Sequence, residues 1–318
     1  MSTTRETRRG DFWKFFVGQA LSALGSAFTG FALPLLVYQL SGSATNLALA
    51  FASGMLPYLL FGLVGGAWAD RADRKRLMIG VDLLKAALIA SIPLLDTLHA
   101  LPLWWIYAVG FLATTLSILF DAAQFAAIPN LVASDDLVEA NGRISASFTT
   151  AELLGPPLAG LVASLVPVVD LLLFDALTFL MSALSLAWIR VSFNTGERRE
   201  RRSLRADVVE GLRYVWAHPL LRHIALMMAL VNFVTAVMWA ELVLFVKDRL
   251  GATDFQYGLF LAGGSLGVVL LSLAAGPLRR RLSFGRVALG TLALSGLLGV
   301  ALALAPSYWV ALPLWVFG

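Results

Sequence analysis

Residues Phe15–Ala69 read FFVGQALSALGSAFTGFALPLLVYQLSGSATNLALAFASGMLPYLLFGLVGGAWA, and these 55 positions contain no Asp, Glu, Lys or Arg. A helix that spans a bilayer needs about 20 apolar residues. The run therefore holds two spans, divided by the polar turn Ser41-Gly42-Ser43-Ala44-Thr45-Asn46. Backbone polar groups in lipid must be bonded internally, so segments of this length cross as helices.

Working outward, the same pattern recurs. Apolar blocks fall at about Leu77–Leu95, Leu103–Phe120, Ile144–Val166, Leu171–Ile189, Ile224–Val246, Phe255–Leu278 and Val287–Ala305, with another starting at Tyr308. The expected fold is an all-α membrane protein, a helical bundle with nine complete transmembrane helices plus part of a tenth. Composition agrees. Of 318 residues, 59% are apolar and 14% charged, against roughly 25% charged in a soluble domain. The mean hydropathy is +0.80. A soluble enzyme is excluded on that ground, and no catalytic residues stand out. A net charge of +4 in short clusters argues against a nucleic-acid partner. The absence of cysteine removes disulfides and thiolate chemistry. His99, His218 and His223 are too scattered for a metal site. No Gly-x4-Gly-Lys-Ser/Thr motif offers an ATP site.

Lys and Arg set the expected orientation. With the N-terminus inside, 22 of the 24 basic residues fall on the cytoplasmic side, and only Lys247 and Arg249 fall opposite. That asymmetry predicts a multi-pass protein of the cell (inner) membrane with a cytoplasmic N-terminus. Met1–Asp11 reads as a short, solvated, basic tail rather than a cleaved signal peptide.

Six spans precede the one long hydrophilic segment. The expected organisation is a six-helix half over residues 1–193, a cytoplasmic linker over 194–219, and an incomplete second half over 220–318. Within the linker, Leu204, Val208, Leu212 and Val215 share one stripe at helical spacing, with Ser203 as N-cap. This is expected to be an interfacial helix, with a plain solvated linker as the alternative. Gly66–Arg76 after the second span and Gly276–Arg286 after the eighth echo each other, as in a duplicated architecture.

Three motifs carry a resemblance. Gly66-x3-Asp70-Arg71-x-Asp73-Arg74-Lys75-Arg76 resembles motif A of the major facilitator superfamily, Gly-x3-Asp-Arg-x-Gly-Arg-Arg/Lys, with Asp73 in place of the second glycine. Gly155-Pro156-Pro157-Leu158-Ala159-Gly160 resembles motif C of the superfamily's exporters. The wording of Phe16–Gly25, Ile128–Asn141 and Glu210–Trp216 is similar to the macrolide and siderophore exporter branch, the transmembrane secretion effector type. The resemblance runs over nearly the whole chain. It implies a twelve-helix plan, so the chain is expected to be a C-terminally truncated fragment. It also implies that Asp70 latches the outward-facing state against the second half. A contact made in only one state biases the equilibrium by about 1–3 kcal/mol. Plain positive-inside anchoring would explain Arg74, Lys75 and Arg76, but not the Gly-x3-Asp-Arg spacing. Pro156 and Pro157 bend the fifth helix, and Gly155 and Gly160 admit a close neighbour, as a rocking interface requires. A generic proline kink is the alternative. The arginine that drug antiporters often carry in the fourth span is missing from Leu103–Phe120, and Gln124 follows.

Ionisable groups inside spans are costly and default to functional candidates. Glu152 and Glu241 are candidates for substrate or proton coupling, or equally for helix–helix hydrogen bonds. Asp175 lies near the start of the sixth span. Asp82 and Lys85, at i,i+3, are expected to pair with each other. Asp121 reads as interfacial. Gln19 and Asn232 would line a cavity or act as interhelical glue, and Trp239 would face substrate. The expected function is secondary transport: an efflux permease exporting small amphipathic molecules of drug, macrolide or siderophore type by alternating access. It would be driven by an ion gradient, the proton first, with no cofactor, and monomeric in the bilayer. The alternatives are an uptake permease or lysophospholipid flippase of the same fold, or a non-transporting scaffold.

Overall fold

The computed structural model describes residues 2–69, 72–194, 213–281 and 284–317. Among the described residues, ten long helices follow one another: α1 (Ser2–Ser41), α2 (Ala44–Ala69), α3 (Arg74–Thr97), α4 (Leu103–Leu131), α5 (Leu137–Ala163), α6 (Leu171–Ala187), α7 (Pro219–Leu244), α8 (Asp254–Arg281), α9 (Phe284–Ala303) and α10 (Tyr308–Phe317). Short 3-10 turns at Ser134–Asp136 and Val168–Asp170 lead into α5 and α6, and a π-helical turn, Phe245–Arg249, ends α7. No strand occurs among the described residues.

The polar turn after the first span is where the chain reverses: Gly42 has φ +55°, a left-handed conformation that glycine adopts without strain. Asp73, the departure from the motif A glycine, begins α3. Its φ is −69°, and its carboxylate accepts from the Arg76 backbone N–H at 3.0 Å. It is therefore an N-cap, a role in which Asp outperforms Gly.

Among the described residues, six helices are long and apolar enough to cross a bilayer by length and composition: Gly10–Ser41, Ala44–Gly62, Arg74–Thr97, Leu103–Leu131, Val168–Ala187 and Asp254–Leu271. Shorter apolar stretches run over Pro219–Val231, Gly290–Ala303 and Tyr308–Phe317 among the described residues. The fold class therefore stands as all-helical, and the finer number of nine spans plus part of a tenth is not established by these lengths. α5 falls outside the six: even its more apolar part, Ala146–Ala163, carries Glu152, Pro156, Pro157 and three hydroxyl residues.

α1 packs against α5 and α6, α3 against α4 and α6, and α2 against α4. Across the halves, α5 packs against α8 and α2 against α7. Two apolar cores result. One, at the end where α1 finishes and α8 begins (the far end), joins Phe31, Leu35 and Ala159 to Val243, Val246, Tyr257 and Phe260. The other, at the N-terminal (near) end, holds Phe12, Phe15, Met78, Val81, Phe120, Leu131, Ile189 and Phe193, all from the first half. Among the described residues, the core shared by both halves lies at the far end.

The tail expectation needs correction. Helix α1 already runs from Ser2, and Asp11 is 1% exposed rather than solvated. The reason lies at the end of α6. Asp11 accepts the backbone N–H groups of Arg190 (2.8 Å) and Val191 (3.0 Å) and pairs with Lys14 at 2.7 Å. The interfacial-helix expectation falls mostly on residues 195–212, outside the described residues; residues 213–217 are helical.

Candidate functional site: a polar cavity walled by the first half

A cavity of about 310 Å³ opens among α1 to α6. Its wall carries Gln19, Ser22 and Ser26 from α1 and Tyr58 from α2. It also carries Asp82 and Lys85 from α3, Ser117, Asp121 and Gln124 from α4, and Phe148 and Glu152 from α5. The α1 contribution follows from periodicity. Gln19, Ser22 and Ser26 stand at i, i+3 and i+7, one stripe on an otherwise apolar helix.

Close approach of α1 and α6 builds the base of this wall. A Cβ at Gly18 would clash with Ser185, and one at Gly25 would lie 2.7 Å from an Asp175 carboxylate oxygen. Those two glycines, seven apart on α1, let polar side chains of α6 reach across. Gln19 Nε2 donates to Ser182 Oγ at 3.0 Å. Ser182 in turn serves the Asp82 carboxylate. Asp175 is 1% exposed and accepts from Thr29 at 2.5 Å and from Thr178 at 3.3 Å.

Asp82 and Lys85 do not pair as their spacing suggested. Lys85 Nζ donates to Ser117 Oγ at 2.9 Å and lies 4.1 Å from the centre of the Phe179 ring. Among the described residues no carboxylate comes within ion-pair distance of it. A lysine on α3 bonded to α4 thus supplies a cation beside the fourth span, where the arginine is missing. Asp121 is on the same wall.

The remaining candidates separate. Gln19 and Glu152 are on the cavity wall. Glu152 also marks the boundary between halves, since its carbonyl accepts from Ser265 Oγ of α8 at 3.4 Å. Glu241 is exposed near the end of α7 and is not on the wall. Trp239 stacks edge-on with Trp315 at 5.6 Å, apart from the cavity. The Asn232 side chain, the last turn of α2 with Gly66, and Asp70 and Arg71 lie outside the described residues and side chains.

The motif A residues that are described turn inward to the first half. Lys75 Nζ donates to the carbonyls of Ala187 (3.2 Å) and Ile189 (2.6 Å), and Arg74 donates to Ala126 (3.0 Å) and Phe193 (3.1 Å). Cations there complement the carbonyl end of α6. Arg76 is exposed and stands 3.7 Å from Asp73.

The motif C residues form the seam between halves. Gly155 faces Ala27 of α1. A Cβ on Gly160 would lie 2.6 Å from the Asp254 carbonyl oxygen and 3.0 Å from Phe255 Cα. Reciprocally, one on Gly258 would lie 2.9 Å from the Pro156 carbonyl carbon and 3.2 Å from Pro157 Cα. Gly258 is a partner that no motif in the sequence singled out. Tyr38 of α1 hydrogen-bonds Asp248, and Lys247 pairs with Asp254 at 2.6 Å, at the same end.

Among curated relatives, the chain is similar to a macrolide efflux protein A of Streptococcus pyogenes. The two are 29% identical over 180 residues, which is 57% of this chain and 44% of the relative. It is also similar to the multidrug efflux pump Tap of Mycolicibacterium fortuitum, 28% identical over 290 residues, 86% of this chain and 70% of the pump. The matched region thus spans less than half of the first relative's length. Among solved structures, it resembles an inward-facing, unoccupied bacterial homologue of the human lysosomal transporter Spinster. The TM-score is 0.75 at 15% identity, over 98% of this chain and 72% of the other. An inward-facing bacterial homologue of the iron transporter ferroportin matches with a TM-score of 0.70 at 17% identity, over 96% and 79%. At those identities the likeness is one of fold. The model of the transmembrane secretion effector family matches residues 2–318, and the chain belongs to that family of the major facilitator superfamily.

Proposed function

We propose that this chain is the main part of an efflux permease that exports small amphipathic molecules by alternating access. The observation that carries the reading is the asymmetry of its ends. The halves share a core and a glycine seam at the far end, while the near-end core among the described residues is made of first-half side chains. A central cavity closed on one side by such a seam is what rocking of two bundles about a midplane site requires. The likeness to efflux relatives supports the direction of movement.

In this reading the N-terminus is cytoplasmic in the inner membrane, so the seam closes the outer side. Nine helices and part of a tenth thread the bilayer. The protein acts as a monomer, needs no cofactor and draws on an ion gradient, the proton gradient first. Asp70 latches the opposite, outward-facing state from the inner rim. Carboxylates on the cavity wall, Asp82, Asp121 and Glu152, exchange protons or meet cargo, and Gln19 lines the same space.

The test is transport in inverted vesicles holding the protein, with a panel of macrolide, dye and siderophore substrates, with and without a proton gradient. Gradient-dependent accumulation is expected, and Asp70→Asn should lower it while leaving membrane insertion intact. Accumulation in right-side-out vesicles instead, or gradient-driven movement unaltered by Asp70→Asn, would overturn export or the latch respectively.

A further inference from the structure

The start of α7 carries exposed groups that movement through a central cavity does not use. Val243, late in α7, belongs to the far-end core. Pro219 stands about 36 Å from it along the axis, at a helical rise of about 1.5 Å per residue, so residues 213–223 lie at the near end. Resting on the reading that puts that end in the cytoplasmic leaflet, we infer that Arg213, Trp216 and Arg222 form a docking site for anionic phospholipid headgroups.

Charge is the first reason. Residues 211–240 contain Arg213, Arg222, His218 and His223 and no Asp or Glu. Other cations at the near end are already engaged. Arg74 and Lys75 donate to backbone carbonyls, and Lys14, Arg76 and Arg143 stand beside carboxylates. Among the described residues, by contrast, neither Arg213 nor Arg222 has an ion pair or a side-chain hydrogen bond. A guanidinium presents a planar fork that fits a phosphate through two N–H bonds. The second reason selects a lipid over a soluble phosphate. Tyr214, Trp216 and Leu220 are 61%, 63% and 70% exposed beside these cations. Tyr and Trp, with apolar bodies and polar tips, settle at the headgroup level. The apolar stretch Pro219–Val231 follows at once. A free phosphate would answer the guanidinium groups and leave these apolar surfaces in water, whereas a phospholipid covers both. A zwitterionic headgroup brings its own ammonium against the arginines, so the site favours a net negative one. Each Arg close to an anionic leaflet adds about fivefold to the attraction.

The test exploits the absence of cysteine. Bimane is attached at Ala217→Cys, inside the site, or at Leu98→Cys, exposed at the far end. The full chain is placed in phosphatidylcholine nanodiscs holding a small fraction of lipid brominated near the headgroup. At Ala217→Cys, brominated phosphatidylglycerol is expected to quench at least about fivefold more than the same fraction of brominated phosphatidylcholine. At Leu98→Cys the two should quench alike. Arg213→Gln with Arg222→Gln should bring the Ala217→Cys ratio close to one. Equal quenching by both lipids at Ala217→Cys overturns the inference. So does an equal phosphatidylglycerol preference at both reporters, or a preference that survives the double substitution. Loss of the preference in millimolar inorganic phosphate would assign the site to a soluble anion and overturn the lipid. The comparison of reporters needs neither arginine variant, so a variant that fails to fold does not shield the idea. Transport in inverted vesicles separates the two claims. A phosphatidylglycerol preference without efflux overturns export and upholds the lipid site, and efflux without that preference does the reverse.

Discussion

The far end of this bundle joins its two halves, whereas the near end ties the first half to itself through a further set of charged hydrogen bonds beside its apolar core. At the far end, first and second halves meet through apolar side chains and backbone contacts at Gly160 and Gly258. Such contacts are short-ranged and non-directional, and they are lost together when two helices separate by an ångström or two. At the near end, Asp11, Lys14, Arg74 and Lys75 tie α1 and α3 to the carbonyl end of α6 and the strand of chain that leaves it, over residues 187–193. Charge-assisted hydrogen bonds are directional and stronger than neutral ones. Under the proposed rocking mechanism, the contrast assigns the first half the role of a body stapled within itself and the seam the role of the joint.

That contrast predicts a ranked series of effects. The chain lacks cysteine, so a Val243→Cys reporter, buried in the seam, gives background-free labelling by a membrane-impermeant thiol reagent. The largest effect is expected from Gly258→Leu. Its side chain would meet the Pro156 and Pro157 backbone, which cannot swing aside. Overpacking of this kind costs about 1–3 kcal/mol. Reporter labelling should rise about tenfold and efflux should fall comparably; unchanged labelling would mean that the seam is not the joint.

Next comes Asp11→Ala, which strands two backbone N–H groups at the near end. A loss of about 1–3 kcal/mol is expected, seen as a lower melting temperature in detergent. The seam reporter should not respond, and if it does the two ends are coupled rather than separate. Smaller again is Tyr38→Phe, which removes one neutral-to-carboxylate hydrogen bond across the halves. Here the reporter should respond by a few-fold, because the pair is open to solvent and exposed charged contacts contribute within about 1 kcal/mol, while the melting temperature stays close to wild type. The smallest effect is expected from Arg76→Ala. Its pair with Asp73 is open to solvent, with 88% and 53% exposed side chains, and such pairs contribute within about 1 kcal/mol. Neither melting nor labelling should move, and a loss of efflux in that variant would reveal a contact made only in the other state.

Much of the cavity was legible one helix at a time but not as a place. The stripe of Gln19, Ser22 and Ser26 is visible by counting turns along α1. Asp121 and Gln124 stand at i,i+3, which puts them on one face of α4. What no single helix discloses is that these faces converge with Asp82 and Lys85. The sequence suggested an intrahelical pair there, yet Lys85 reaches to α4 instead. An i,i+3 spacing permits a contact, and the neighbouring helix decides whether a better partner stands closer. Glu241 and Trp239 illustrate the converse. Both looked suited to a cavity by depth in the chain, and rotation of α7 about its axis took them elsewhere.

Charge-free runs too long for any soluble core, and basic residues gathered to one set of loops, are properties of the chain read in order. They fix helices and a membrane environment because the cost of an unbonded backbone or a buried charge in lipid is local to each segment. Which glycines touch, that Gly258 answers the motif C prolines, and that a lysine of α3 stands beside α4 depend on how the helices are rotated and tilted against one another. Those choices are made by side-chain fit between segments far apart in the chain, and such fit exists only once the bundle has assembled.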